Sequence, residues 1–229
     1  MKKILFFLIT LSFVYADSNL HKIKEKCLDG CKNSCLKVAK YYQYEKEDNE
    51  NALSFYKYVC AKGYGQACKS MSDIYKYDEK LENQKMSDFY KNKAILYTKQ
   101  SCSKKIGDAC FNMGAFCESK YLKCNQNVYY KKAFKYYEAE CLKSDYNSCY
   151  NLANMYFYGV NVKRNYQKSI ALYKKACDND EKYSCYTLAG IFEHGIHSKK
   201  DINSAKKYYE AACKIDNELG CDDLKRINQ

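Results

Sequence analysis

Fifteen cysteines are the residues of this 229-residue chain with the most chemistry to offer. Cysteines form disulfides, bind metals or carry out redox reactions, and their spacing and compartment indicate which. Structural zinc sites favour cysteines two to four residues apart, whereas here six pairs each have seven residues between their members. The spacing therefore predicts disulfides and no metal site. The pairs are Cys27–Cys35, Cys60–Cys68, Cys102–Cys110, Cys141–Cys149, Cys177–Cys185 and Cys213–Cys221.

Three cysteines lie outside this pattern. Cys117 and Cys124 bracket a short segment, and a local Cys117–Cys124 disulfide is their simplest interpretation. With the other fourteen cysteines in seven pairs, Cys31 has no partner. It could be a free thiol, a link between two chains, or a competitor for Cys27 or Cys35. Apart from such a link, the chain is expected to be a monomer.

The N-terminus indicates the compartment. Lys2 and Lys3 precede an apolar run from Ile4 to Val14, and Ala16 ends a small-x-Ala cleavage site. These features predict a signal peptide over residues 1–16, cleaved after Ala16. The apolar run is too short to cross a bilayer, and no later segment reaches transmembrane length. The mature chain is expected to be secreted or periplasmic, where disulfides persist.

The cysteine pairs also mark a repeat. Their first members are 33, 42, 39, 36 and 36 residues apart, a period typical of helix-turn-helix solenoids. Amphipathic runs such as 133–141 and 169–177 precede the pairs, and Gly159 and Gly195 stand where helices should end. The chain has no proline and no sustained two-residue alternation.

These patterns predict an all-α fold, an α/α superhelical solenoid whose helix pairs are stapled by disulfides. We expect residues 17–229 to form a single domain of about five repeats with a capping helix at about 215–229. The 26 tyrosines often occur in pairs such as Tyr136/Tyr137 and Tyr208/Tyr209. One member of each pair should pack between helices with its hydroxyl at the surface.

The most regular part of the chain resembles a known family. Tyr158-Gly159-Val160, Arg164-Asn165 and the helix ending at Cys177 resemble the Sel1-like repeat, related to the tetratricopeptide repeat, of the Helicobacter cysteine-rich protein family. The resemblance covers roughly Leu20 to Ile227 and is irregular over 51–130. It implies penicillin binding with slow hydrolysis of the β-lactam ring, since that family is classed as β-lactamases. Sel1-like repeats in general imply a surface for protein or peptide partners.

The residues needed for a known lactamase site are incomplete. Neither Ser-Asp-Asn nor Lys-Thr-Gly occurs, and three histidines, His21, His194 and His197, are too few for a two-zinc hydrolase. The catalytic residues are therefore unknown, no cofactor is expected, and the question of an enzyme stays open. Ser-x-x-Lys pairs occur at Ser34/Lys37, Ser54/Lys57, Ser101/Lys104 and Ser204/Lys207.

A peptide-binding groove requires fewer specific residues than a catalytic site. Small polar residues follow the second cysteine of several pairs at fixed spacing, and amide groups both donate to and accept from a peptide backbone. They predict a binding groove, although solvated helix positions would show the same pattern. The groove residues are Asn112, Asn151, Asn154 and Thr187.

The net charge of +12 comes almost entirely from lysine. Lysine-rich, arginine-poor surfaces favour solubility and attraction to anionic envelopes over base recognition, so no nucleic-acid partner is expected. The expected partner is a β-lactam or peptidoglycan-like small molecule, or an extended peptide or protein.

Overall fold

The structure, a computed structural model, describes residues 20–215 and 217–229. The predicted signal peptide, residues 1–16, lies outside the described residues. Those described form helices joined by turns, without a β-strand, so the all-α prediction is confirmed. The chain divides into two compact units, residues 1–100 and 101–229. One domain of five repeats over 17–229 stays a prediction.

Unit 1 consists of successive helices. Residues 20–28 are helical and form α1. The helices that follow are α2 (Lys32–Lys40), which continues as a π-helical turn (Tyr41–Glu45), α3 (Asn49–Ala61), α4 (Gly65–Tyr77) and α5 (Gln84–Ser103), whose last three residues belong to unit 2.

Unit 2 continues with helices of similar length, each packed against its neighbours in the chain. We call α6, α8 and α10 the A helices and α7, α9 and α11 the B helices. The A–B loops are residues 119–125, 159–165 and 195–201. The helices are α6 (Gly107–Glu118), α7 (Gln126–Leu142), α8 (Tyr146–Tyr158), α9 (Tyr166–Cys177), α10 (Lys182–His194), α11 (Ile202–Lys214) and α12 (Glu218–Ile227).

The helix ends follow local chemistry. Gly159 and Gly195 take the left-handed conformation, with φ of 72° and 66°, and end α8 and α10 as predicted. Glycine adopts this conformation without the strain that a Cβ would cause. At the N-terminal ends of seven of the described helices, side-chain oxygens accept hydrogen bonds from backbone N–H groups of the first turn. These caps are Asp48, Asn125, Asp145, Asn165, Glu181, Asp201 and Asn217.

Seven disulfides hold the described helices together. Six cross the turn between one helix and the next, with Cα–Cα distances of 4.6–4.9 Å. The seventh, Cys117–Cys124, spans the A–B loop after α6. Cys31 is a free, exposed thiol. Seven disulfides indicate an oxidising extracellular or periplasmic environment. None of the described helices is long and apolar enough to cross a membrane.

A small residue and a tyrosine recur in the core of unit 2, eight and four residues before the first cysteine of a pair. Tyr137, Tyr173 and Tyr209 are almost fully buried. Tyr137 and Tyr209 are the packed members of the pairs Tyr136/Tyr137 and Tyr208/Tyr209, and the hydroxyl of each of the three tyrosines donates to a neighbouring helix. The hydrogen bonds are Tyr137–Asp108 Oδ1 (2.7 Å), Tyr173–Asn154 Oδ1 (2.6 Å) and Tyr209–Glu193 Oε2 (2.7 Å).

Helix α5 departs from this pattern because Thr98 stands where the tyrosine would be. Gly65 of α4 packs directly on it, and a Cβ at Gly65 would lie 2.8 Å from the Ala94 carbonyl oxygen. Farther along, the hydroxyls of Ser72 and Ser87 each donate to the other residue's carbonyl at 2.9 Å. The two helices thus approach closely through small residues.

We expect Gly65→Ala to destabilise the protein by about 1–3 kcal/mol, because its Cβ would collide with backbone of α5. Gly190, inside α10, has nothing within 4 Å of a Cβ position. Gly190→Ala should therefore stabilise by about 0.5–1 kcal/mol through helix propensity alone. Thermal unfolding of the oxidised variants measures both changes, and equal effects at the two sites would contradict the close packing of α4 on α5.

Candidate functional site on the A helices

The A helices of unit 2 lie side by side. The Asn151 amide of α8 donates to Asp108 Oδ1 of α6 at 2.9 Å. The rings of Tyr150 in α8 and Tyr183 in α10 have centroids 6.1 Å apart. The A helices therefore form a layer with an accessible side, which we call the A-helix face and define by Asn112, Asn151, Asn154 and Thr187.

All four predicted groove residues are half-buried on adjacent A helices, and three of them, Asn112, Asn151 and Thr187, occupy matching positions two residues after the second cysteine of a pair. Two are held in place: Asn151 Nδ2 donates to Asp108, and Asn154 Oδ1 accepts from the Tyr173 hydroxyl at 2.6 Å. Asn112 and Thr187 make no side-chain hydrogen bond with another described residue. The structure thus presents fixed and unengaged polar groups on one face, and their role in binding stays a prediction.

Asp108 was missed by sequence reasoning. It accepts from both the Tyr137 hydroxyl (2.7 Å) and Asn151 (2.9 Å), and so connects α6, α7 and α8. Burial raises the pKa of Tyr137 and of Tyr173 well above the ordinary tyrosine value, so both phenols remain hydrogen-bond donors at neutral pH. The sequence signal was the tyrosine four residues before Cys141, Cys177 and Cys213, and it does not identify the acceptor.

A second polar cluster joins α10, α11 and α12. The buried carboxylate of Glu193 accepts two hydrogen bonds from Arg226, at 2.7 and 2.9 Å, and one from the Tyr209 hydroxyl. Arg226 also donates to Asp223, which accepts from the Tyr186 hydroxyl. The Arg226 guanidinium lowers the pKa of Glu193 to about 2. Every charged member of the cluster has its partner within the cluster. We call this cluster the charged clasp, because its hydrogen bonds hold α12 against α10 and α11.

In two of the four Ser-x-x-Lys pairs, the serine hydroxyl is engaged within its own helix. Ser54 donates to the Asn51 carbonyl at 2.7 Å, and Ser204 donates to the Asp201 carboxylate at 2.7 Å. Both hydroxyls thus serve the first turn of their own helix. His197 stacks on Tyr166 with ring centroids 3.4 Å apart. Within 20–215 and 217–229, no three histidine, cysteine or acidic side chains are grouped to hold a metal.

Unit 1 contains a cavity of about 760 Å³ between the π-helical turn, α3 and α4. Its volume lies in the range of small-molecule sites. Six acidic residues line it with one lysine, Lys80, so its potential is negative and disfavours a ligand with a carboxylate. The acidic residues are Glu47, Asp48, Glu50, Asp73, Asp78 and Glu79.

Comparison with protein families now gives the repeat a name. The Sel1 repeat model matches residues 107–139, 147–181 and 182–217. The chain contains Sel1 repeats. Each matched Sel1 repeat is one A helix with the B helix that follows, so Cys141–Cys149 and Cys177–Cys185 join consecutive repeats. These disulfides join adjacent helices as predicted, and the two helices that each one joins belong to consecutive repeats.

Several solved structures resemble the chain. Cysteine rich protein B of Helicobacter pylori is 27% identical, with 60% of this chain and 96% of that one covered and a TM-score of 0.42. Immunity protein Pa5087 of Pseudomonas aeruginosa is 16% identical, with coverages of 87% and 74% and a TM-score of 0.50, which supports the fold alone.

A protective antigen of uropathogenic Escherichia coli is 16% identical, with 90% of this chain covered and a TM-score of 0.45. The chain spans only 43% of that antigen's length. A sequence search of curated proteins gives no significant match.

Glu193→Gln should destabilise the protein by about 2 kcal/mol at pH 7, because it removes a charge hydrogen-bonded to Arg226. The folded pKa of about 2 lies below the ordinary value of about 4.3, so ionised Glu193 stabilises the fold above that value. Its contribution is lost as pH falls from about 5 to 2. Denaturant unfolding across this range should show wild type and variant converging.

The control is Glu210→Gln, which removes an exposed ion pair with Lys214 on α11. Exposed pairs contribute little, so its effect should stay below about 0.5 kcal/mol. A difference between wild type and Glu193→Gln that does not change with pH would contradict the charged clasp.

Proposed function

We propose that the protein is a non-catalytic scaffold that binds an extended peptide or protein segment on its A-helix face, outside the cytoplasm. The observation that carries this proposal is the repetition of amide and hydroxyl groups at matching positions of adjacent Sel1 repeats. Asn112, Asn151 and Thr187 occupy those positions, and Asn154 stands one turn beyond Asn151 on the same helix. A peptide backbone offers donors and acceptors at regular intervals, which these groups could match.

Preorganisation supports the same proposal. Asn151 and Asn154 are each fixed by one hydrogen bond, to Asp108 and from Tyr173. In each amide, the group that does not make this bond, Oδ1 of Asn151 and Nδ2 of Asn154, is available to a partner. Side chains already held in place lose little conformational entropy on binding, and this favours affinity. The disulfides Cys141–Cys149 and Cys177–Cys185 add rigidity between the helices that carry them.

The proposal is tested by selecting peptides from a random phage-displayed library on the oxidised protein. Asn112→Arg with Thr187→Arg should weaken binding of the selected peptides at least about tenfold, since two long charged side chains would obstruct the face. Neither original side chain makes a hydrogen bond with a described residue, so the fold should be retained. Fluorescence anisotropy with the selected peptides measures the affinity.

The matched control is Ala139→Arg with Ala171→Arg, on exposed positions of the B helices α7 and α9. It adds the same two positive charges away from the A-helix face and should leave affinity within about twofold. Peptides that bind both double variants equally well would place recognition elsewhere and overturn the proposal.

Binding or slow hydrolysis of a β-lactam is the other function that the resemblance to the Helicobacter cysteine-rich family implies. Penicillins carry a carboxylate, which the acidic cavity of unit 1 disfavours. The hydroxyls of Ser54 and Ser204 are engaged in their own helix turns. These observations support the scaffold over the enzyme.

We therefore expect the oxidised protein to leave nitrocefin intact and to gain no covalent mass adduct. Absorbance and mass spectrometry measure the two results, with protein that has been reduced and alkylated as the reference. Turnover that requires the folded, oxidised form would make the protein a lactamase and would contradict the scaffold proposal.

A further inference from the structure

Charge in unit 2 is concentrated on one edge. We define the basic edge as the three A–B loops with the first two turns of the B helices, residues 119–132, 159–172 and 195–208. These segments contain eleven basic residues and one acidic residue, Asp201, and ten of the eleven basic side chains are exposed. The basic residues are Lys120, Lys123, Lys131, Lys132, Lys163, Arg164, Lys168, Lys199, Lys200, Lys206 and Lys207.

The opposite ends of the same helices have the reverse charge. We define the disulfide edge as residues 104–113, 143–152, 178–188 and 217–224, the turns enclosed by disulfides with the helical turns that follow. This edge contains four basic and eight acidic residues. The basic residues are Lys104, Lys105, Lys143 and Lys182, and the acidic residues are Asp108, Asp145, Asp178, Asp180, Glu181, Glu218, Asp222 and Asp223.

Contacts between successive loops make the basic edge continuous. The start of α7, including Val128 and Lys131, and the loop over 159–163 line one open cavity of about 660 Å³. The next loop contacts the start of α9, where His197 stacks on Tyr166. The lysines of three repeats therefore share one surface and are not scattered around the unit.

Apolar side chains stand among the lysines of this edge or, in the case of Tyr158, directly before one of its loops. The exposed fractions are 50% for Val128, 62% for Tyr158, 39% for Ile196 and 37% for Ile202. Exposed aliphatic and aromatic groups beside lysines are the composition by which peripheral proteins contact a bilayer interface. The disulfide edge also exposes large hydrophobic residues, such as Tyr183 and Leu219, but amid acidic groups that an anionic surface repels.

We propose that the basic edge docks unit 2 onto an anionic phospholipid bilayer, with the disulfide edge facing away. Ten of the eleven basic residues are lysines, point charges on flexible stems that suit the diffuse charge of lipid headgroups better than a fixed bidentate site. The charges are spread along an edge of loop ends, which matches an extended surface. This inference does not depend on peptide binding at the A-helix face.

The experiment is co-sedimentation of the oxidised protein with vesicles of phosphatidylcholine, pure or with 30% phosphatidylglycerol. We expect binding only to the anionic vesicles, weakened by salt. Lys131→Gln, Lys163→Gln and Lys199→Gln together remove one charge from each repeat and should weaken binding about 10- to 100-fold. Tyr158→Ser should weaken it several-fold without changing the salt dependence.

The matched control, Lys104→Gln with Lys105→Gln and Lys143→Gln, removes the same charge from the disulfide edge and should change affinity less than threefold. Equal losses in the two triple variants, or no binding to anionic vesicles, would overturn the proposal. The alternative occupant of the basic edge is the acidic disulfide edge of a second copy of the chain. Sedimentation velocity without vesicles tests for such self-association. A salt-sensitive oligomer abolished by the Lys131, Lys163 and Lys199 substitutions, with no vesicle binding, would replace the bilayer by that copy.

Discussion

The disulfide between the end of one B helix and the start of the next A helix is the constraint on which the rest of unit 2 depends. A single helical hairpin buries little core, and a repeat array is stable only if neighbouring hairpins remain docked. Each such bridge closes a loop of nine residues across a Cα–Cα distance of 4.7 Å. Chain entropy predicts a contribution of about 2–3 kcal/mol per bridge. Because the disulfides keep neighbouring hairpins docked, surface residues such as those of the A-helix face need not contribute to stability.

The buried tyrosines complete the positioning. Tyr137, Tyr173 and Tyr209 occupy the same place in successive repeats, yet their hydroxyls meet a different acceptor each time, Asp108, Asn154 and Glu193. Each acceptor belongs to an A helix, so the B helices set the rotation of the A helices against them. The polar groups of the A-helix face are consequently rigid, although they lie on a surface.

The helices and cystine pairs could be predicted because their signals are local and periodic: a spacing of eight between cysteines, amphipathic runs, and glycines at helix ends. The residues that accept the tyrosine hydrogen bonds could not be predicted. Tyr137 and Asp108, for example, are 29 residues apart, and no local pattern connects them. The reason for Thr98 in place of a tyrosine is that Gly65 packs directly on it, and this contact is visible only in the structure. The positions of Asn151 and Asn154 were predictable from register, whereas their engagement with Asp108 and Tyr173 required coordinates.

The placement of the disulfides has a further consequence for proteolysis, since exposed turns are where proteases cut. A cut between Cys141 and Cys149, or between Cys177 and Cys185, leaves both fragments covalently joined. The loops over 159–165 and 195–201 have no such enclosure, so cleavage there leaves the fragments held by packing alone. Survival of unit 2 in a protease-rich environment therefore depends on these two loops, where Gly159 and Gly195 fold the backbone tightly against Arg164 and Lys200.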